Sequence, residues 1–199
     1  MRPGGLALTV EALELCDFAP GARVLDLACG SGATLKLLKK HGFEALGLDA
    51  SPTLTALARE QGPAIEADFH HLPLTDQSLD GIFCECALSL ADRPEEVLAE
   101  CARTLKPGGL LVLSDIILTG PTSGGGTSGP ATLPQMCDRL TRAGFTVKIN
   151  RDHNPALREL AARLVWRFGS AEVLSGLWCG RAPASGGKYG YTLIIAERR

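Results

Sequence analysis

Hydrophobic and polar positions follow two alternating patterns along most of the chain. Short apolar runs are typical of buried strands, and the segments between them repeat apolar residues at helical spacing. Apolar runs of strand length lie at residues 23–27, 45–49, 64–67, 81–84, 110–114, 145–149 and 191–196. Strands that alternate with helices predict a parallel sheet with crossover helices. We therefore expect an α/β fold with a doubly wound, mostly parallel seven-stranded sheet and an antiparallel final strand, the last two strands forming an antiparallel edge.

Residues that start and stop helices lie between these runs. Ser51 precedes Pro52, the usual order of an N-cap and a first-turn proline, and this pair predicts a helix that ends at Gly62. The Lys-Pro-Gly-Gly sequence at 106–109 is expected to end a later helix and to turn the chain into the next strand.

The last third of the chain carries two longer connections. Residues 120–130 are almost all Gly, Ser, Thr and Pro, which predicts a flexible loop. A helical insertion is expected at about 153–180, with Asn154 as N-cap of its helix. Its apolar side, together with Trp166 and Trp178, is expected either to cover a ligand pocket or to pack on the sheet without ligand contact. We expect one domain over residues 1–199.

A glycine-rich turn follows the first predicted strand. Residues 24–32 have the sequence VLDLACGSG and lead into a helix that begins at Ala33. Glycine lets the backbone approach a ligand closely, and the free N–H groups at a helix start favour an anion. The carboxylate of Asp26 would be costly to bury without donors, so we expect it to accept hydrogen bonds from the turn or from a ligand amine.

The order of these residues resembles a known family. The spacing D-x-x-x-G-x-G from Asp26 to Gly32 resembles motif I of class I (Rossmann-like) S-adenosylmethionine-dependent methyltransferases. Residues 49–54, DASPTL, are similar to that family's D-x-S-P-x-M/L pattern. Residues 65–80 resemble its G-D-A-x-x-L-P-F-x-D-x-S-F-D stretch, and residues 105–113 resemble its L-K-P-G-G motif. The matches cover roughly residues 23–115 and are most similar to the small-molecule branch that includes quinone-biosynthesis methyltransferases.

The resemblance implies S-adenosylmethionine as cofactor, with S-adenosylhomocysteine as its product. Asp26 and the glycine turn would hold the methionine part, Asp49 the ribose, and Asp68 with the Phe69 backbone N–H the adenine. Leu54 would pack on the adenine, with simple core packing as the alternative. The implied cofactor-binding residues are Asp26, Ala28, Gly30, Gly32, Asp49, Ala50, Leu54, Asp68, Phe69 and Cys84.

Glu85, after the fourth strand, is the main catalytic candidate. Its carboxylate could favour a cationic sulfonium or accept a proton from the acceptor, and a location at the rim of the site is the alternative. Cys84 and Cys86 are too close together for a zinc site without a second pair, so no metal is expected. A thiol-dependent arsenite site is a less favoured possibility.

His70, His71 and His153 are candidate bases, but histidines of this kind are more often surface residues. A dedicated base is also dispensable, because methyl transfer by in-line displacement mainly needs alignment of the reacting groups.

Two other functions compete with methyl transfer. A nicotinamide-dependent oxidoreductase would also have a glycine turn, but Leu35 occupies the place of its third glycine. The lack of an obvious catalytic base leaves open a non-catalytic module that binds S-adenosylmethionine.

Charge and hydropathy limit the partners. The net charge is −2, and the basic residues are concentrated in the last third of the chain. This balance gives no support for nucleic-acid binding, and a small-molecule acceptor is favoured. The apolar runs are too short to span a membrane, and no signal-type apolar region follows Met1, so we expect a cytoplasmic protein. The sequence does not indicate an oligomeric state.

Overall fold

The computed structural model describes residues 2–119, 129–169 and 188–199. Within these ranges seven strands form one sheet. The strands are β1 (Arg23–Leu27), β2 (Glu44–Asp49), β3 (Ala64–Glu66), β4 (Leu79–Glu85), β5 (Leu105–Thr119), β6 (Phe145–Asp152) and β7 (Lys188–Arg198). The helices are α1 (Gly5–Cys16), α2 (Ala33–Lys40), α3 (Pro52–Arg59), α4 (Pro94–Thr104), α5 (Leu133–Arg142) and α6 (Asn154–Phe168), with a short 3-10 helix at Leu88–Leu90.

The strand order is β3-β2-β1-β4-β5-β7-β6. The pairs from β3 to β5 are parallel, and β7 is antiparallel to both β5 and β6. The expected α/β sheet with an antiparallel final strand is therefore confirmed. The expectation that the last two strands form an antiparallel edge is also confirmed: β7 and β6 pair antiparallel at one end of the sheet, with β6 as the outermost strand.

Helices cover both faces of the sheet, which buries its apolar side chains on each side. One core cluster joins the strands to residues of α4 and α5, including Leu98 and Leu140. The other joins them to α1, α2 and α3 through residues such as Leu13, Leu35 and Ala58. Because both faces are covered, the strands are apolar on both sides, which explains their continuous hydrophobic runs.

Several predicted boundaries differ from the structure. The Ser51 cap of α3 is confirmed, since its hydroxyl accepts from the Leu54 N–H. Asn154 does not cap α6. It is the first helical residue, and its Oδ1 accepts from the Tyr191 N–H at 2.8 Å. The predicted turn at 106–109 lies inside β5 as a bulge, since β4 pairs with Leu105 and then with Leu110.

Two expectations fall partly on residues that the structure does not describe. Most of the predicted loop at 120–130 and the part of the insertion beyond residue 169, with Trp178, lie outside the described residues. The described part of the insertion is α6, on which Trp166 is 92% exposed. No helix in residues 2–119, 129–169 and 188–199 is long and apolar enough to cross a membrane.

Candidate functional site

Three acidic residues lie at the ends of three neighbouring strands. Asp26 is the next-to-last residue of β1, Asp49 is the last residue of β2, and Asp68 follows β3. These strands are adjacent and parallel, so their carboxyl ends lie on one edge of the sheet. Ligands of open α/β sheets bind at this edge. The structure therefore brings the three predicted carboxylates to one side of the molecule.

The glycine-rich turn between β1 and α2 has the backbone that its sequence predicts. Gly30 and Gly32 have φ values of 55° and 82°. A Cβ at Gly32 would lie 3.0 Å from the Cα of Ala58, so this glycine lets α2 approach α3. A Cβ at Gly30 would meet no atom within 4 Å, so its backbone borders open space. Ala28 also has a positive φ, 57°, which is a strained conformation for a residue with a side chain.

The carboxylate of Asp49 ties this turn to the start of α3. Its Oδ2 accepts from the Gly30 N–H at 2.8 Å, and its Oδ1 accepts from the Ser51 N–H at 2.9 Å. Each oxygen keeps a further lone pair, because a carboxylate oxygen accepts two hydrogen bonds. Asp49 is thus held in place and still able to accept from a ligand. Ala50, beside it, is exposed.

Asp26 is buried beneath the turn. Its Oδ2 has no hydrogen-bond partner among the described residues. Burial raises the pKa of this carboxyl to about 8, and the nearby charge of Glu85 adds to the shift. A buried oxygen without a donor is costly, so the position suits a ligand ammonium group or a bridging water. This orphaned acceptor agrees with the amino-acid end of the predicted cofactor.

The predicted adenine contacts lie on the open side of the site. The Asp68 side chain is 60% exposed, and backbone and ring N–H groups of His70 hold its pKa below the usual range. Leu54 is 38% exposed, which excludes the alternative that it is a core residue. Phe69 is partly buried against the core. Leu54, Asp68 and Phe69 do not line the cavity described next.

A cavity of about 480 Å³ opens between the turn, the end of β4, α6 and the N-terminal segment. Residues 28–31 form one wall, and Glu85 and Cys86 lie at the end of β4. The opposite wall comes from Arg2 and residues 4–6, together with residues of α6 that include Leu160 and Arg163. Of the two expectations for the insertion, the cover over a pocket agrees with this position of α6.

Glu85 is enclosed in a hydrogen-bond network rather than placed at the rim. Its Oε1 accepts from the Thr9 hydroxyl at 3.0 Å, and its Oε2 accepts from the Thr34 hydroxyl at 2.8 Å. Nη2 of Arg2 lies 2.9 Å from Oε2, and the Glu85 side chain is only 3% exposed. Burial raises the pKa of Glu85, while the Arg2 charge and the two hydroxyls lower it.

The two cysteines near Glu85 face different surroundings. Cys84 is buried in the core and does not line the cavity. Cys86 does line the cavity, and its φ of 55° is another positive value at a residue with a side chain. Its Sγ lies 3.0 Å from the Tyr191 hydroxyl, which donates to the Ser114 Oγ at 3.1 Å. Burial raises the pKa of the Cys86 thiol to about 12.

Sequence reasoning missed α1 and the residues that join it to the site. Arg2 and Thr9 contact Glu85, yet the segment 2–16 contains no motif that marks such a role. In this part of the sequence, the only signal for such a contact is a polar residue at helical spacing from apolar neighbours, namely Thr9. Of the candidate bases, His70 is bonded to Asp68, and His153 lies 3.5 Å from Glu11, outside the cavity lining.

Comparisons with known proteins agree with the motifs. A family model described as a methyltransferase domain matches residues 25–113. The uncharacterized methyltransferase YodH of Bacillus subtilis is 30% identical over 152 residues, which are 73% of this chain and 61% of that protein. The demethylmenaquinone methyltransferase of Renibacterium salmoninarum is 33% identical over 108 residues, 53% of this chain and 45% of that protein. The chain spans only 32% to 61% of the length of the first such relatives.

Solved structures share the fold. The phosphoethanolamine N-methyltransferase 2 of Haemonchus contortus, in complex with S-adenosyl-L-methionine, superposes with a TM-score of 0.78 at 17% identity. The match covers 99% of this chain and 53% of that chain. The order of the motifs, the methyltransferase-domain match over residues 25–113 and the strand order together support a class I, Rossmann-like methyltransferase domain in this chain.

Proposed function

We propose that this protein is an S-adenosylmethionine-dependent methyltransferase that acts on a small-molecule acceptor. The observation that carries the proposal is the bridging position of Asp49. Its two oxygens are fixed by the N–H groups of Gly30 and Ser51, in the middle of three adjacent acidic strand ends. An acidic side chain held there, with free lone pairs, suits a ribose diol.

The remaining cofactor contacts follow from the same edge of the sheet. When bound, S-adenosylmethionine supplies an activated methyl group for in-line displacement. In the proposal, Asp26 and the turn hold the amino-acid part, and Asp68 with the Phe69 backbone holds the adenine. The exposed Leu54 side chain offers an apolar surface for the adenine ring. The family match and the Haemonchus contortus complex support this choice of cofactor.

The network around Glu85 favours an electrostatic and positioning role for this residue over that of a general base. Oε2 already accepts from Thr34 and faces Arg2, and Oε1 accepts from Thr9. Although burial raises the pKa of Glu85, this carboxylate already has these partners around both oxygens and is poorly accessible to a proton from the acceptor. It can still contribute negative potential to the cavity and hold the N-terminal segment over it. The proposal therefore includes no proton transfer to Glu85.

The acceptor is proposed to occupy the side of the cavity lined by α6 and the N-terminal segment. A volume of about 480 Å³ is in the range of sites for small ligands. The lining combines charged and apolar side chains, among them Arg163 and Leu160. The named relative from Renibacterium salmoninarum, a demethylmenaquinone methyltransferase, supports an organic small molecule as the acceptor class.

Calorimetry with S-adenosylhomocysteine tests cofactor binding. Wild-type protein should show saturable binding, and Asp49→Ala should weaken it at least about tenfold, which is about 1.4 kcal/mol. Glu44→Ala is the matched control, because Glu44 is an exposed acid at the opposite end of β2. Absence of binding at millimolar ligand, or equal affinity in Asp49→Ala, would contradict the proposal.

A second experiment tests catalysis and identifies the acceptor. The protein is incubated with methyl-labelled S-adenosylmethionine and fractionated small-molecule extract, and the labelled product is analysed by mass spectrometry. Transfer of label to a small molecule is the expected result. Tight cofactor binding without transfer to any fraction would favour a non-catalytic binding module instead.

A further inference from the structure

His70 and Asp68 form a closely bonded pair at the β3 end of the site. Asp68 Oδ1 accepts from the backbone N–H of His70 at 2.8 Å and lies 2.7 Å from Nδ1 of the same residue. Because a carboxylate only accepts, Nδ1 must carry the hydrogen of this contact. One histidine therefore supplies two donors to a single oxygen of Asp68.

The two bonds leave the other carboxylate oxygen available. Among the described residues, no hydrogen bond or ion pair reaches Asp68 Oδ2, and the side chain is 60% exposed. A carboxylate held through Oδ1 has lost most of its rotational freedom before any ligand arrives. Pre-organisation of this kind reduces the entropic cost of binding. Oδ2 is thus a single, oriented acceptor on the open side of the site.

The His70 ring is itself held in place. Its side chain is only 10% exposed, and the ring centroid lies 4.7 Å from that of Phe69. The other ring nitrogen, Nε2, is buried and has no partner among the described residues. The hydrogen bond to Asp68 is therefore the polar interaction that the ring makes within the described part of the chain.

We propose that His70 is a positioning residue that orients Asp68 to accept from the exocyclic amino group of adenine. The inference rests on the proposed function, since it assumes an adenosyl ligand. Its consequence is selectivity: a carboxylate oxygen attracts the 6-amino group of adenine and repels the 6-oxo group of hypoxanthine. Loss of the His70 ring donor would leave only the backbone N–H to hold Oδ1, so the carboxylate could rotate more freely and this preference would fall.

Calorimetry with two ligands tests the proposal. The probes are S-adenosylhomocysteine and S-inosylhomocysteine, which differ in the 6-amino or 6-oxo group of the purine and in the hydrogen that the 6-oxo form carries on N1. We expect the wild type to prefer the adenosyl ligand by at least about tenfold, or about 1.4 kcal/mol. His70→Phe keeps a ring but removes the Nδ1 donor, so the preference should fall measurably, while the backbone N–H of residue 70 still donates to Asp68. His70→Asn keeps a side-chain N–H near the place of Nδ1 and should retain the preference.

The controls separate orientation from folding and from the proposed function. His71→Ala changes the exposed neighbouring histidine and should leave the preference unchanged. If His70→Phe does not fold, His70→Leu removes the same donor with a smaller side chain. An unchanged preference in either folded variant would overturn the role of His70 while cofactor binding stands. No binding of S-adenosylhomocysteine to the wild type would overturn the proposed function together with this inference.

Discussion

Nη2 of Arg2 lies 2.9 Å from Oε2 of Glu85, so the second residue of the chain is joined to the end of β4. Thr34 strengthens the link, since its hydroxyl accepts from Arg2 and donates to Glu85. This pair holds the N-terminal segment against the cavity wall. It also keeps a buried carboxylate compensated, which is the condition under which such a group is tolerated.

Arg2→Met should destabilise the fold by about 1–3 kcal/mol, because it removes one partner of the buried Glu85 carboxylate and leaves that group with hydroxyl partners only. The loss of stability caused by Arg2→Met should be smaller in the Glu85→Gln variant, because the side chain at position 85 then carries no charge. A double-mutant cycle measured by urea unfolding gives the coupling between the two residues.

The matched control for this cycle is the exposed ion pair between Arg93, the N-cap residue of α4, and Glu96 in the first turn of that helix. Its coupling should be at most about 0.5 kcal/mol, because solvent screens surface pairs. Equal coupling energies for the two pairs would show that the Arg2 link contributes no more than a surface contact.

Gly30→Ala is expected to reduce mainly ligand affinity, whereas Gly32→Ala is expected to reduce mainly the stability of the fold. Both glycines have positive φ, so each substitution costs about 1–2 kcal/mol of backbone energy. Gly32→Ala should cost more, since its Cβ would lie 3.0 Å from the Ala58 Cα. Gly30→Ala meets open space and should chiefly weaken the binding of S-adenosylhomocysteine.

Urea unfolding and calorimetry on both glycine variants check this difference. The prediction is wrong if Gly30→Ala loses more stability than Gly32→Ala, or if it binds S-adenosylhomocysteine as tightly as the wild type does.

Asp26 should make stability fall as pH rises. Its pKa is raised to about 8 in the folded protein, chiefly by burial, so between its ordinary value and about 8 the folded state binds the extra proton. Stability falls with pH wherever the folded state holds more protons than the unfolded state. The side chain of the Asp26→Asn variant cannot ionise. The free energy of unfolding of this variant should therefore rise relative to that of the wild type between about pH 5 and about pH 8.

Urea unfolding of the wild type and of Asp26→Asn across this pH range measures the difference in their free energies of unfolding. The contributions of the other titrating groups largely cancel in this difference, because both proteins contain them. Parallel stability curves would mean that Asp26 is ionised in the folded state at neutral pH, contrary to the shift that burial produces.

The local sequence was sufficient to predict the scaffold of the site. Apolar runs located the strands because a strand that is covered on both faces has mainly apolar side chains. The glycines in the turn after β1 and the acids at 26, 49 and 68 were found from motif spacing and from the family resemblance, and each of them lies within a few residues of a strand end. The register of a parallel sheet then brings these strand ends together.

Only the tertiary structure decided which partners these residues have. Thr9 and Glu85 are 76 positions apart in the chain, and their contact depends on where α1 packs, which no local pattern encodes. The same holds for Asn154, whose side chain bonds to Tyr191 on β7 instead of capping α6. Local pattern thus determined the elements and the acids at their ends. Long-range packing determined that Glu85 is enclosed and that β7 lies inside the sheet, because these depend on contacts between segments distant in sequence.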